Sequence, residues 1–151
     1  MKWLLDTNVI SESVRPIPDR RVSAWIAAQP EDQFRISILT LAELQAGIVA
    51  LGNVRRKRRF DAWMETYLLP NFADRTLPIS IEILVDWLRL SRQLNAIGRP
   101  QAAADLLIAA TARTYSLITV TRNVRHFANT GLVVYDPWTG RTHHMDAPDA
   151  R

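Results

Sequence analysis

Three carboxylates stand in otherwise apolar stretches of this chain, where a charged side chain is costly to place. Asp6 ends the apolar run MKWLLD, and Glu43 lies within ILTLAELQAG. Asp105 lies in RPQAAADLLIAATAR and is the only charged residue between Arg99 and Arg113. Burying an unpaired carboxylate costs several kcal/mol or forces it to take up a proton. The sequence therefore predicts that Asp105 has a partner, either a metal ion or a dense hydrogen-bond network.

Asp6, Glu43 and Asn123, the last in TVTRNVRHF, also have structural explanations. Asp6 follows a strand candidate and could cap the helix that comes next. Thr40 and Glu43 have the spacing of a capping box, in which the two side chains satisfy backbone N–H groups at a helix start. Asn123 precedes a short helical turn and could cap it. The sequence leaves these alternatives open.

If the fold brings the three carboxylates into one cleft, their mutual repulsion must be relieved. Two carboxylates about 5 Å apart repel by roughly 3 kcal/mol at an effective dielectric near 20. Such a cluster persists by binding a cation or by taking up protons. The chain has no cysteine, and ligands that are all oxygen favour a hard ion, Mg²⁺ or Mn²⁺. A metal ion of this kind can orient a phosphodiester and lower the pKa of an attacking water.

The elements that must position these residues alternate between strand and helix. Short apolar runs that predict strands are Met1–Leu5, Phe34–Leu39, Thr76–Ser80, Leu117–Thr121 and Leu132–Tyr135. Helical patterns between them predict an α/β fold with a central parallel sheet of four or five short strands and helices on both faces. In such sheets ligands bind beyond the carboxyl ends of the strands, which is where Asp6 and Asn123 lie. The long helical stretch from Leu41 to Leu69 predicts a helical hairpin that forms an arm.

Length and composition are those of one soluble domain. With 151 residues and 48% hydrophobic residues, the chain is long enough to bury a core without disulfides. We predict a single domain over residues 1–138 and a loose polar tail over residues 139–151. No signal peptide or membrane span is predicted, and the lack of cysteine is compatible with the reducing cytoplasm. The formal net charge of +4 permits a nucleic-acid partner without requiring one.

At five places the chain resembles the PIN-domain ribonucleases, and among them the VapC toxins of bacterial toxin–antitoxin pairs, especially the FitB-like group. The motifs that carry the resemblance, in chain order, are LLDTNVISE, TLAELQAGI, AAADLLIAATA, TRNVRHF and YDPW. The resemblance implies an α/β/α sandwich and a Mg²⁺-dependent endoribonuclease that cleaves structured RNA, often transfer or ribosomal RNA.

The resemblance also implies roles for residues of this chain. Asp6 and Asp105 match the positions of the usual direct metal ligands, and Glu43 would act through a bound water. Asn123 matches a fourth position where some relatives have Asp, so less negative charge is expected in the site. Thr7, Asn8 and Thr121 are expected to position the substrate or line the site. Many relatives have an acid where this chain has His126, which we interpret as a surface residue.

Protein partners follow from the same resemblance. A small VapB-type antitoxin is expected to wrap the toxin and to direct an Arg or a similar group at the carboxylates. The toxin is expected to form a homodimer. The pair is expected to contact operator DNA only through the antitoxin's DNA-binding end.

A run of five basic residues precedes an aromatic-rich stretch and could contact RNA. The run comprises Arg55, Arg56, Lys57, Arg58 and Arg59. A helix spreads such a run around its circumference, so a solvated face is the simpler interpretation. An RNA backbone contact by counterion release is the functional one.

Two other functions compete with the ribonuclease. One is a metal-dependent phosphatase that uses Asp6 as a covalent nucleophile. Many such phosphatases need a second Asp two residues later, where this chain has Asn8. The other is a non-catalytic module whose acidic cleft binds a basic partner. The nuclease should lose RNA cleavage with a chelator and with Asp6→Asn, the phosphatase should trap a phospho-intermediate, and the binding module should show neither.

Overall fold

The sheet is built around β1 and β4, the two apolar strands that carry site residues at their ends. The computed structural model describes residues 1–148. The strands are β1 (Trp3–Leu5), β2 (Phe34–Ser37), β3 (Thr76–Leu77), β4 (Ile118–Val120), β5 (Val133–Asp136) and β6 (Arg141–His144). The helices are α1 (Thr7–Ser13), α2 (Arg20–Ala28), α3 (Ile38–Val49), α4 (Val54–Trp63), α5 (Leu69–Phe72), α6 (Ile81–Ala96) and α7 (Ala103–Thr114).

The six strands form one sheet in the order β3-β2-β1-β4-β5-β6. All neighbouring pairs are parallel except β5 and β6, which are antiparallel. The predicted α/β class and the parallel core of the sheet are confirmed. The predicted count holds for the five parallel strands, whereas the antiparallel β6 was not predicted because the sequence pattern gave no signal for it. The third strand is also shorter than predicted: it ends at Leu77, before Pro78, which has no N–H to continue a ladder.

Alternating side chains of β1 bury two separate cores, one on each face of the sheet. Trp3 and Leu5 belong to a core with α1 to α5, while Leu4 belongs to a second core with α6 and α7. Leu4 is fully buried, as is Ile108 on α7. This burial on both faces explains why the strands read as continuous apolar runs. It also fixes which edge of the sheet presents Asp6.

The predicted helical hairpin consists of α3 and α4, and it packs back onto the sheet. Leu44 and Ile48 on α3 are buried in the first core. After α4 the chain continues through a π-helical turn, Met64–Leu68. Met64 and Leu68, four residues apart on the same face of this turn, both enter the core.

The segment from Thr139 onward was expected to be loose, and this prediction was wrong for most of its described part. Asp136 accepts hydrogen bonds from Trp138 N (2.9 Å) and Thr139 Oγ1 (2.9 Å). Gly140 adopts a φ of +73° that favours glycine, and its N–H donates to the Asp136 carbonyl at 2.8 Å. This turn returns β6 along the edge of β5. Residues 149–151 of the predicted tail lie outside the described residues.

Within residues 1–148 no helix combines the length and the apolar character that a membrane crossing requires.

Candidate active site

Asp6 lies immediately beyond the carboxyl end of β1 and is the most constrained carboxylate of the site. Its residue is only 8% exposed. Oδ1 accepts a hydrogen bond from Thr7 N at 2.8 Å, so the predicted cap of α1 is present. Oδ2 accepts hydrogen bonds from Thr121 Oγ1 at 2.7 Å and Asn8 Nδ2 at 3.2 Å. Capping therefore uses one oxygen, and the carboxylate keeps lone pairs for another partner.

Thr121 and Asn8 hold the ends of β1 and β4 together. Besides donating to Asp6, the buried Thr121 hydroxyl accepts from Asn8 Nδ2 (3.0 Å) and from Asn123 N (3.0 Å). Asn8 Oδ1 accepts from Arg122 N at 3.2 Å. This network connects groups more than a hundred residues apart in sequence, so it fixes the orientation of the Asp6 carboxylate.

Asn123 does not cap the helical turn that follows it. Its side chain makes no hydrogen bond to the first N–H groups of the turn Val124–Phe127. The capping interpretation of Asn123 was therefore wrong. The position contributes its backbone N–H to Thr121 and leaves an exposed amide beside the site.

Glu43 is not part of a capping box, contrary to the structural alternative. α3 begins at Ile38, and Ser37 is its N-cap, accepting from Leu39 N at 3.1 Å. The helix therefore starts three residues before the expected position, and Glu43 lies in its second turn. There Thr7 Oγ1 donates to Glu43 Oε1 at 3.3 Å. This contact joins Glu43 to the residue that follows Asp6.

Asp105 lies in the first turn of α7, where the partial positive charge of the helix N-terminus favours a carboxylate. Its side chain is 24% exposed, and its Oδ2 is 3.1 Å from His126 Nδ1. His126 is exposed, as predicted, but the interpretation of it as a plain surface residue was incomplete. The turn after β4 brings its ring onto Asp105.

The three carboxylates influence one another electrostatically. Burial raises the pKa of Asp6 and so does the negative charge of Asp105, against the hydrogen bonds from Thr121 and Thr7. The pKa of Glu43 is raised by loss of hydration and by the charges of Asp6 and Asp105. Among residues 1–148, only His126 lies within ion-pair distance of any of the three carboxylates.

The donor set suits a divalent cation, although the side chains do not form a complete cage. In the described part of the chain, no group of three or more His, Asp or Glu side chains has the geometry to hold a metal ion. A cation here would rest on Asp6 and Asp105, with water supplying other ligands, as Mg²⁺ commonly keeps several waters. Burial, and after it the charges of the neighbouring carboxylates, raises the pKa of Asp6 and of Glu43, so a cation at this place would favour their charged forms.

A cleft of about 470 Å³ opens beside Glu43. Its lining includes Thr7, Asn8, Glu43, Arg56, Arg122 and Trp138. Of the five basic residues on α4, only Arg56 reaches this cleft, because the helix turns the others in different directions. The basic run is therefore only partly brought to the site.

Arg122 and Trp138 are cleft residues that the sequence reasoning did not assign. The Arg122 guanidinium lies 5.5 Å from the centre of the Trp138 ring. The Trp138 carbonyl accepts from Arg21 Nη1 at 3.0 Å, which helps to anchor the turn. Trp138 belongs to the YDPW motif and also packs against the first core.

Comparison with known proteins places this geometry in a family. A model described as "PIN domain" matches residues 3–132. Toxin FitB of Neisseria gonorrhoeae is 38% identical over 135 residues, which are 89% of this chain and 97% of that protein. VapC ribonuclease Y4jK of Sinorhizobium fredii is 37% identical over 89% of this chain and 96% of its own length.

A solved structure agrees with these sequence relatives. The structure of FitAB bound to an IR36 DNA fragment superposes with a TM-score of 0.87 at 37% identity, covering 94% of this chain and 99% of that one. The sequence match and the shared fold lead to the same conclusion. This chain belongs to the PIN-domain family.

Proposed function

We propose that this protein is a divalent-metal-dependent endoribonuclease and the toxin of a toxin–antitoxin pair. The observation that carries the proposal is the meeting of Asp6, Glu43 and Asp105 at one sheet edge, where burial and their mutual charges raise the pKa of Asp6 and Glu43 and where, within residues 1–148, His126 is the only ion-pair partner. The names of the relatives, a toxin and a VapC ribonuclease, supply the reaction class.

In this proposal Asp6 and Asp105 hold Mg²⁺, which Mn²⁺ can replace. The bound ion would neutralise charge on the phosphodiester and make water a better nucleophile. Thr121 and Asn8 keep the Asp6 carboxylate oriented through their hydrogen bonds. Asn123 adds a neutral amide, so the site carries less negative charge than one with a fourth acid.

Glu43 is the proposed proton acceptor. Its raised pKa brings it nearer to neutral pH, which suits a general base. Thr7 positions Glu43 by donating to Oε1. The attacking water loses a proton to Glu43 as its oxygen bonds to phosphorus. The bond to the leaving sugar oxygen breaks, and that oxygen takes a proton from solvent water to become a hydroxyl.

The proposed substrate is structured RNA, with transfer or ribosomal RNA as the expected class. Arg56 lines the cleft beside Glu43 and is placed to contact a phosphate. The other basic residues of α4 are proposed as weaker, more distant contacts.

The proposed partner is a VapB-type antitoxin. A cationic side chain of that partner would fit against the carboxylates and compete with the metal ion. A homodimer of the toxin is also proposed. DNA contact through the antitoxin is supported by the DNA-bound FitAB structure.

The phosphatase alternative is weakened by Asn8. The Asn8 amide donates to both Asp6 and Thr121. The position where such a phosphatase needs a second acid therefore helps to orient Asp6 instead.

The test is incubation of purified protein with total bacterial RNA, with Mg²⁺, with EDTA and with the Asp6→Asn variant. The proposal predicts discrete fragments only from the wild type with Mg²⁺. A trapped phosphoryl group on Asp6 would favour the phosphatase. RNA binding without cleavage under every condition, by folded protein, would favour the binding module.

A further inference from the structure

A second cleft lies on the other side of Arg122, between the turn after β4 and the β5–β6 hairpin. Its volume is about 440 Å³. The charged and imidazole side chains that line it are Arg122, Arg125, His126, Asp136, Arg141 and His143. Three arginines against one aspartate give the lining an excess of positive charge.

The positive charge of this cleft is not neutralised by carboxylates of residues 1–148. Within residues 1–148, none of Arg122, Arg125 and Arg141 forms an ion pair with a carboxylate, and all three are exposed. Asp136 is 7% exposed, and its carboxylate is occupied by the turn contacts with Trp138 and Thr139.

Backbone contacts hold the cationic residues in place from both sides. Arg141 lies opposite Asp136 in the β5–β6 ladder. The Arg125 carbonyl accepts from Gln101 Nε2 at 3.4 Å. The cleft is therefore formed by ordered elements. The match to the PIN-domain model ends at residue 132, so Arg141 and the strand that carries it lie outside the matched part of the chain.

The basic cleft adjoins both the cleft at Glu43 and the carboxylate of Asp105. Arg122 lines both clefts, and His126, at the edge of the second one, contacts Asp105. A polyanion that passes the carboxylates would thus meet unpaired cations directly beyond them. A phosphate backbone has the regular negative charge that such a surface attracts.

We propose that this basic cleft binds the phosphate backbone of the RNA strand on one side of the cleavage point, with Arg125 and Arg141 as the contacts. The inference rests on the proposed ribonuclease function, and it assigns RNA contacts that the basic run of α4 does not supply. Neither arginine belongs to the cleavage machinery.

The test measures RNA binding in the Asp6→Asn background, which removes cleavage. Affinity for a fluorescent single-stranded RNA oligonucleotide is measured against salt concentration, with and without Arg125→Ala plus Arg141→Ala. Each lost phosphate contact reduces the slope of log K against log[salt] by about 0.7. The double variant should therefore show a slope smaller by about 1.4 and an affinity about 25-fold lower near 0.1 M salt.

Two control variants make the result specific. Arg92→Ala plus Arg99→Ala removes the same charge from a pocket beside the end of α6, and the RNA slope should not change. Arg125→Lys plus Arg141→Lys keeps the charge and should keep the slope. Thermal unfolding by circular dichroism checks that every variant is folded.

Several outcomes would overturn the inference. These are an unchanged slope in the Arg125/Arg141 alanine variant, an equal loss in the Arg92/Arg99 control, or no RNA binding by the Asp6→Asn parent. If an acidic polypeptide binds the alanine variant more weakly than the parent, and RNA binds both equally, the cleft belongs to a protein partner. If one of these outcomes is found and the wild-type protein still cleaves RNA, the inference about the basic cleft is refuted and the proposed ribonuclease function stands. Absence of cleavage by wild type would refute the ribonuclease itself.

Discussion

Replacing Asp105 by Asn should stabilise the metal-free protein while removing its response to Mg²⁺. Like charges about 6 Å apart repel by about 3 kcal/mol at an effective dielectric near 20. Asp105 repels both Asp6 and Glu43. Because Asp105 and Glu43 are partly exposed, solvent reduces each of these two repulsions to about 1 kcal/mol. Against this gain, the variant loses the contact with His126 and a favourable helix N-terminal charge, together about 1 kcal/mol.

The net gain is about 1 kcal/mol, which raises the melting temperature by about 2–4 °C for a chain of this size. Mg²⁺ at a hundred times its dissociation constant should stabilise the wild type by about 2.7 kcal/mol. The Asp105→Asn variant should not gain this stabilisation, so adding Mg²⁺ reverses the order of the two proteins.

Circular-dichroism melts with EDTA and with Mg²⁺ measure both effects. Asp86→Asn is the contrasting control, because Asp86 pairs with Arg113 Nε at 2.8 Å and its loss should destabilise the fold without changing the Mg²⁺ response. An Asp105→Asn protein that is unfolded, or that still gains stability from Mg²⁺, would refute the assignment of Asp105 as a ligand.

Three further predictions concern charge and stability. The folded-state pKa of Asp6 lies above its unfolded value, so its contribution to stability is full at low pH and is lost as pH rises through the raised pKa. In urea melts of metal-free protein, the free energy of unfolding should therefore fall less with rising pH in Asp6→Asn than in the wild type. An identical fall in the two proteins would contradict the raised pKa. Arg56→Glu plus Arg58→Glu should weaken RNA binding and reduce the slope of log K against log[salt]. An unchanged slope would mean that the basic run of α4 is a solvated helix face without RNA contacts. Glu12→Ala should lower the free energy of unfolding by about 2 kcal/mol in denaturant melts, because the buried Glu12 accepts a hydrogen bond from Asp19 N at 2.8 Å. The variant should still be stabilised by Mg²⁺. Loss of that stabilisation would count against a purely structural role of Glu12.

The parts of the fold that the sequence predicted are those governed by local apolar pattern. β1 and β4 read as buried strands because both faces of each are covered, and this placed Asp6 at the sheet edge in advance. The pairing of β6 could not be predicted, since RTHH has no apolar alternation. Its place depends on the turn around Asp136 and on the free edge of β5, which are tertiary features.

The site shows the same division between local and tertiary information. The apolar setting of Asp105 signalled an unusual carboxylate, and the structure places it near Asp6 and Glu43. The sequence misjudged the start of α3, because Ser37 and Thr40 are both good caps and only packing against the sheet chooses between them. The contact of His126 with Asp105 joins positions 21 residues apart (126 − 105), so no local pattern could reveal it.

The chemistry of the RNA ends decides whether the carboxylates carry out hydrolysis. RNA would be incubated with the wild type and with Asp6→Asn, with Mg²⁺ and with EDTA, and the termini of any fragments identified. Hydrolysis by water, with Glu43 as proton acceptor, predicts fragments only from the wild type with Mg²⁺, and none with a 2′,3′-cyclic phosphate. Cyclic phosphate ends that persist in EDTA and in Asp6→Asn would mean that the RNA's own 2′-hydroxyl attacks, and that the carboxylates do not carry the reaction.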